Sequence, residues 1–245
     1  MSIRAIIVED EPLSRIFLDN LLAEFCPQVE VIAKVSTEEE AVSSIINLNP
    51  DLVFLDIELQ TGTGFDVLKR IRENLPSIIF TTATDHHAIN AIRFSGVHYL
   101  LKPIEISDLI NEVEAACHPD RVNPALALNH LLDTVENDFR PLSIFLDHDH
   151  GKDYFSLNDL IRIEGNAASS MIIVKTGIKV FSAKPLQEFD QILSDYGFCR
   201  IHLLHLVNTR ELKSFIPDSD GFVLMSDGHK LPVSAKKVSD LKRFC

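Results

Sequence analysis

Apolar positions in the first 118 residues follow two alternating rhythms. Short runs at Arg4–Val8 (RAIIV), Val29–Val35, Leu52–Leu55 (LVFL), Ser77–Phe80 (SIIF) and Tyr99–Leu101 read as strands. The unbroken ones suit strands buried on both faces. Between them the spacing turns helical: Leu13, Ile16, Phe17, Leu21 and Leu22, then Ala41, Ile45 and Ile46 behind a Thr37–Glu40 capping box. Val67, Leu68 and Ile71 follow Gly64, and further helices are predicted over Ala88 to Phe94 and Ile106–Cys117. Five βα units make a parallel sheet with helices on both faces.

The segment HPDRVNP (His118–Pro124) holds two prolines and breaks the fifth helix. Ala125–Val135 (ALALNHLLDTV) then predicts a short helix with Leu126, Leu131, Leu132 and Val135 apolar. It reads as a connector, a dimer contact or a helix lying on the next domain, closed by Asn137–Pro141. From Leu142 the rhythm becomes strand-rich. Ser143–Leu146, Asp153–Ser156, Leu160–Glu164, Ser170–Thr176, Ile178–Ser182, Leu204–Asn208, Glu211–Ile216, Gly221–Met225 and Lys230–Pro232 are the candidates. Thr176-Gly177 and Asp227-Gly228 suit hairpin turns. Pro185–Leu193 reads as a short helix, and Val233–Phe244 as a terminal one. The expected organisation is an α/β domain over 1–118, a partly helical linker over 119–140, and a mostly antiparallel β domain over 141–245.

Composition narrows the function. The 245 residues are 46% hydrophobic and 24% charged, enough to bury real cores. No apolar run approaches the roughly 18 to 20 residues of a membrane helix, and the start, MSIRAIIVEDEP, is wrong for a signal peptide. Cys26, Cys117, Cys199 and Cys245 are scattered without a CxxC pair, as for free thiols in a reducing cytoplasm. The net charge of −13 is uneven: residues 1–120 carry −12, residues 121–245 carry −1, and 199–245 carry +3. The acidic half argues against nucleic acid there, and the basic tail leaves that open for the other half.

In an open parallel sheet, ligands bind beyond the carboxyl ends of the strands. Those ends here carry Glu9 and Asp10, then Asp56, then Thr81 and Thr82, then Lys102. Converging carboxylates repel one another and call for a divalent cation, and oxygen-only ligands favour Mg²⁺. One carboxylate can accept a phosphoryl group, with Lys102 and Thr82 placed to hold its oxygens. Any one of these residues alone would be an ordinary cap or turn residue. Their recurrence at successive strand ends is what points to a site.

These residues, in VEDEP, LVFLDI, TTAT and YLLKPI, resemble the receiver domain of two-component response regulators, a flavodoxin-like fold. The resemblance implies Asp56 as the aspartyl-phosphate site and Lys102 and Thr82 as its partners. It implies Mg²⁺ on Glu9, Asp10, Asp56 and the backbone carbonyl of Glu58, Thr82 with Tyr99 as a switch pair, and a cis bond before Pro103. Gln60 stands where many relatives have proline, while Gly64 keeps its place.

The later segments RIH, HLVN, DGHKLPVS and KKVSDLK resemble the LytTR DNA-binding domain, and with the receiver point to the LytR/AlgR type. That implies a transcriptional regulator rather than an enzyme. Its implied partners are a sensor histidine kinase, promoter DNA and, on phosphorylation, a second copy of the chain. Two departures stand out. Leu203 follows the His of RIH and Ala235 follows PVS, and neither supplies the bidentate hydrogen bonds of base readout. The loop Asn166–Ser170 is small and neutral. The remaining DNA-binding candidates are His202, His205, Asn208, Lys230, Lys236 and Lys237, with Lys242 and Arg243 beyond them. The lysines suit phosphates. An output acting mainly through protein partners is the alternative. A phosphohydrolase using Asp56 as nucleophile, with Glu58 as acid, matches nothing else in the chain.

Overall fold

The structure, a computed structural model, describes residues 2–71, 75–83, 86–117, 124–137, 139–148, 151–216 and 221–241. Lys242, Arg243 and Cys245 lie outside the described residues, as does most of the predicted break at 118–124. The chain divides into two compact units, Met1–Pro141 and Leu142–Cys245.

The first unit is built on a five-stranded parallel sheet in the order β2-β1-β3-β4-β5. Its strands are β1 (Ile3–Val8), β2 (Val29–Val35), β3 (Leu52–Asp56), β4 (Ser77–Thr82) and β5 (His98–Leu101). Strand side chains alternate between faces, and the packing follows that alternation. Ala5, Ile7, Leu52 and Phe54 face one core with Leu18 and Leu22 of α1 (Pro12–Phe25) and Leu109 and Val113 of α5 (Ile106–Cys117). Ile6, Val8, Val53 and Leu55 face the other, with residues of α2 (Glu38–Leu48), α3 (Gly64–Arg70) and α4 (His86–Ser95). The continuous apolar runs of the sequence therefore reflect two half-cores sharing one sheet. Thr37 caps α2 by accepting from the Glu40 amide, while the Glu40 carboxylate accepts from the Ser36 amide, one residue before the position a capping box would use.

A sixth helix, α6 (Pro124–Glu136), belongs to this unit and lies against α4 and α3. Ala127, Leu128, Leu131 and Leu132 are buried in the same core as Phe65, Ala91 and Ile92. Phe139 continues the contact edge-on to Phe65, centroids 5.9 Å apart. The helix is thus a layer of the first unit rather than a free connector.

His130 of α6 lies 3.0 Å from the buried Ser95 hydroxyl. Burial holds its imidazole below the ordinary value, partly opposed by Asp133. Below about pH 6.5 the unfolded chain takes up a proton that the folded one refuses. The stability this site contributes is therefore complete above that pH and is lost as pH falls through the window beneath it. The thermal stability of the first unit is expected to fall as pH drops below about 6.5, with His130→Gln flattening the trend. An identical pH trend in wild type and variant would remove His130 from this account.

The second unit is antiparallel. A five-stranded sheet runs β10-β9-β8-β12-β11, with β8 (Leu160–Gly165), β9 (Ser170–Val174), β10 (Lys179–Ser182), β11 (Phe198–His202) and β12 (His205–Asn208). A three-stranded sheet holds β13 (Leu212–Ile216), β14 (Phe222–Met225) and β15 (Lys230–Pro232), and β6 (Ser143–His148) pairs with β7 (Gly151–Ser156). Ile161, Ile173, Ile201 and Val207 form a core with Val223, Met225, Leu231 and Val233. The helix α7 (Leu186–Leu193) buries Leu186, Phe189, Ile192 and Leu193.

Two elements differ from the sequence reading. The strand β11 was not expected. The terminal helix is shorter than the predicted span: Ser234 is extended and donates from both its amide and its hydroxyl to the Ile201 carbonyl. A single 3₁₀ turn, Ala235–Lys237, then leads into α8 (Val238–Leu241).

Candidate functional site

The carboxyl ends of β1, β3 and β5 meet in one acidic crevice. Glu9 follows β1 directly, Asp56 is the last residue of β3, and Lys102 follows β5. The Lys102 amine lies 2.6 Å from Asp56 Oδ2 and 2.7 Å from Glu9 Oε2. One carboxylate oxygen each of Glu9, Asp10 and Asp56 fall within 4.8 Å of one another. Glu9 and Asp56 are buried, at 2% and 5% exposure. The Glu58 amide donates to Asp56 Oδ1 at 3.1 Å, and the Glu11 amide to Glu9 Oε1 at 3.3 Å. Burial pushes the Glu9 carboxyl up from its ordinary value, against the hydrogen bond from Lys102. Burial alone would lower the Lys102 amine. Its hydrogen bonds to Asp56 and Glu9 outweigh that and hold it above the ordinary value, so it stays charged.

The loop beyond Asp56 is fitted closely to it. A Cβ at Gly64 would stand 2.4 Å from the Asp56 carbonyl oxygen, so only glycine allows α3 to start there. Thr63 caps α3 reciprocally with Asp66. Thr81 is the register partner of Asp56 on β4, and the next residue, Thr82, is buried with its carbonyl accepting from the Lys102 amide. Tyr99 accepts a hydrogen bond at its hydroxyl from Arg93 Nε of α4 at 2.8 Å. The peptide before Pro103 is cis. The crevice thus gathers Glu9, Asp10, Asp56 and Lys102, with Thr82 beside them.

Three carboxylates gather in this crevice and two of them, Glu9 and Asp56, share the Lys102 ammonium, so the acidic groups outnumber that cation and are partly desolvated. The donor atoms are all oxygen, and this fits Mg²⁺ and disfavours zinc or copper.

In the second unit, β11 and β12 join through the two-residue turn Leu203-Leu204, with His202 opposite His205. Both leucines keep negative φ, and a bulge between Arg200 and His202 takes up the mismatch. The Arg200 guanidinium donates to the Leu203 carbonyl at 2.7 Å, the Leu204 amide donates to His202 Nδ1 at 3.3 Å, and the Gly165 amide donates to the Leu204 carbonyl at 3.1 Å.

Two family models match the chain: the response regulator receiver domain over residues 5–114 and the LytTr DNA-binding domain over residues 154–245. The chain is a receiver–LytTR response regulator. Similar proteins include the sensory transduction protein LytT of Bacillus subtilis, 28% identical over 99% of this chain and 98% of its own length. LytT of Bacillus cereus is 25% identical over 99% and 98%. The transcriptional regulatory protein LytR of Staphylococcus aureus is 27% identical over 98% and 97%.

This response regulator couples a receiver to a DNA-binding output under phosphorylation control. Receiver domains generally bind Mg²⁺ at an acidic pocket, and in this chain Glu9, Asp10 and Asp56 form an acidic cluster. Among the described residues no helix is long and apolar enough to cross a membrane.

The residues expected to touch DNA do not share one situation in the regulator. Asn208 requires a correction. It is buried at 3% exposure, Nδ2 donates to the carbonyls of Leu160 (2.9 Å) and Leu157 (3.4 Å), and Oδ1 accepts from the Arg210 amide. Its polar atoms are used inside the fold, bracing the 3₁₀ turn Thr209–Glu211. His205 is half-buried with Nδ1 enclosed and unpartnered, and burial lowers its pKa. Its ring lies 5.5 Å from that of His202, whose Nδ1 braces the turn. Lys230 and Lys236 are exposed, and Lys237 is half-exposed. Lys230 also sits 4.9 Å over the Phe222 ring. Leu203 is 72% exposed, and Ala235 is exposed as well. Sequence reasoning missed Arg162, buried at 3% exposure and paired with Asp227 at 2.7 Å and with Glu164. An arginine inside the apolar run LIRI was the available signal.

Proposed function

We propose that Asp56 accepts a phosphoryl group from a sensor histidine kinase, and that the resulting aspartyl phosphate switches promoter binding by the second unit. The observation that carries this is the buried Asp56 carboxylate, 2.6 Å from the Lys102 amine and grouped with Glu9 and Asp10. Lys102 and the Glu58 amide orient the Asp56 carboxylate. An oxygen of that carboxylate attacks phosphorus in line, and the bond from phosphorus to the donor's leaving group breaks as the new P–O bond forms. Lys102 then pairs with a phosphoryl oxygen, and the Thr82 hydroxyl turns to donate to another. Glu9, Asp10, Asp56 and the Glu58 carbonyl are the residues that would hold Mg²⁺, which when bound offsets the charge on the phosphoryl oxygens.

Phosphorylation adds about −1.5 to −2 charges and three acceptor oxygens to the crevice. As Thr82 turns, Tyr99 exchanges its bond to Arg93 for an inward position, and α4 moves with it. Homodimerisation follows on the changed face, in the cytoplasm where the kinase presents its phosphohistidine. Lys236 and Lys237 make phosphate contacts on the DNA.

The test is labelling of the full chain with acetyl phosphate and Mg²⁺, peptide mapping, and DNA binding before and after across a salt series. The label is expected on Asp56. DNA affinity is expected to rise with it and to fall steeply with salt. A second reading, output through protein partners, is favoured by the exposed Leu203 and Ala235. No DNA binding by the labelled chain would select it.

A further inference from the structure

Arg162 of β8 has no part in the switch or in the DNA reading, yet it is buried within an apolar run. Its Nε donates to Asp227 at 2.7 Å, and its Nη1 donates to Glu164. A buried ion pair contributes little net stability over apolar residues of the same volume. What this one does is hold a wall. Asp227 stands in the turn between β14 and β15, and the guanidinium ties that turn to β8.

The wall belongs to a cavity of about 410 Å³ in the second unit. That volume lies within the range of small-molecule sites, roughly 300–1,000 Å³. Its apolar lining is Ile161 and Ile173 of the core, with Val174. Two braced turns flank it. In one, the Val174 amide donates to the Ile178 carbonyl at 3.1 Å and the Gly177 amide to the Val174 carbonyl at 2.9 Å. In the other, the Met225 amide donates to the His229 carbonyl at 2.9 Å and the Ser226 amide to the Glu211 carbonyl at 2.8 Å. A cavity held this way needs little ordering when a ligand enters. It lies where Leu160 pairs with Val174, at the ends of β8 and β9 away from the Asn166–Ser170 loop.

The acids of the lining are already spent. Asp227 accepts from Arg162 and from the His229 amide, and Glu211 pairs with Lys175 at 2.8 Å. Two donors remain. Lys179 is exposed and makes no ion pair among the described residues. The Ser226 hydroxyl is enclosed, close to Glu211 but with no aligned hydrogen bond. Leaving such a group without a partner is costly, and a ligand that accepts from it removes the cost. An apolar slot with a spare cation and a spare hydroxyl suits a carboxylate on a short hydrocarbon tail.

We infer that the second unit holds a binding site for small aliphatic monocarboxylic acids, with the tail against Ile161, Ile173 and Val174 and the carboxylate met by Lys179 and the Ser226 hydroxyl. The inference does not rest on the kinase or DNA reading.

The test titrates octanoate, hexanoate, octanol and octylammonium into the full chain by calorimetry and follows its ¹³C-methyl isoleucine spectrum. Octanoate is expected to bind saturably and to shift the methyl signals of Ile161 and Ile173. Affinity should fall about four-fold for each methylene removed on going to hexanoate. Lys179→Ala should weaken octanoate about five-fold and leave octanol unchanged. Ser226→Ala should weaken octanoate about ten-fold. The ligand-free isoleucine spectrum of Lys179→Ala should match that of the wild type. No saturable octanoate binding, equal or tighter binding of octanol or octylammonium, or octanoate binding that neither variant weakens would overturn the site. Shifts confined to other isoleucines would place octanoate elsewhere and overturn it too. Each of these outcomes leaves acetyl-phosphate labelling and DNA binding to be judged by their own tests.

Discussion

Ending the chain after residue 118 is expected to give an unstable, self-associating fragment, whereas ending it after residue 141 should give a folded monomer. The difference is α6. Leu128, Leu131 and Leu132 are at most 1% exposed, in one core with Phe65, Ala91 and Ile92. Burying a leucine contributes about 1.5–3 kcal/mol. Three of them therefore contribute roughly 5–8 kcal/mol, an upper figure because unfolded chains already bury some surface. Domains of this size have only about 5–15 kcal/mol in total. Removal of α6 would also bare an apolar strip along α3 and α4, and such strips associate. Thermal unfolding and light scattering of the two fragments decide the matter. Equal stability within about 1 kcal/mol, with both fragments monomeric, would show that α6 is dispensable to the unit.

Asp56→Asn should abolish acetyl-phosphate labelling while making the metal-free protein more stable. The functional half is simple: an amide does not attack phosphorus, and Asp56 is the carboxylate held between Lys102 and the Glu58 amide at the end of β3. The stability half follows from charge. Three carboxylates have oxygens within 4.8 Å of one another, and two of them, Glu9 and Asp56, share the Lys102 ammonium. Neutralising Asp56 removes its repulsion with Glu9 and Asp10, and Lys102 keeps its 2.7 Å bond to Glu9. At the effective dielectric of such sites the net gain is on the order of 1 kcal/mol. Added Mg²⁺ should raise the unfolding midpoint of the wild type by mass action and that of the variant less. Persistent labelling of the variant would refute the acceptor assignment. A lower midpoint without Mg²⁺ would refute the charge argument.

The crevice was legible because parallel strands buried on both faces leave continuous apolar runs, whose ends are visible as the first polar residue. Glu9, Asp56 and Lys102 each stand at such an end. Gly64 was legible as a helix start, but its 2.4 Å limit against the Asp56 carbonyl needed coordinates. The destination of α6 was not legible. Periodicity in ALALNHLLDTV says that one side is buried and is silent on which surface receives it. The β11–β12 turn was hidden because it is made of Leu203 and Leu204, with none of the glycine or asparagine that marks hairpins. Asn208 misled because an exposed and a buried asparagine look alike in sequence. Its neighbours Val207 and Leu206, both fully buried, were the hint. Lys236 and Lys237 suggested a longer helix, and the pinning of Ser234 to Ile201 delays its start.

The docking of α6 also sets the length of the leash between sensor and output. A free segment from 118 to β6 could pay out about 80 Å of extended chain. With α6 fastened down, and Arg140 bonded back to Asn137, the slack shrinks to the residues between Arg140 and Ser143, roughly 10 Å. The covalent link itself therefore allows the two units only a few residues of extended chain.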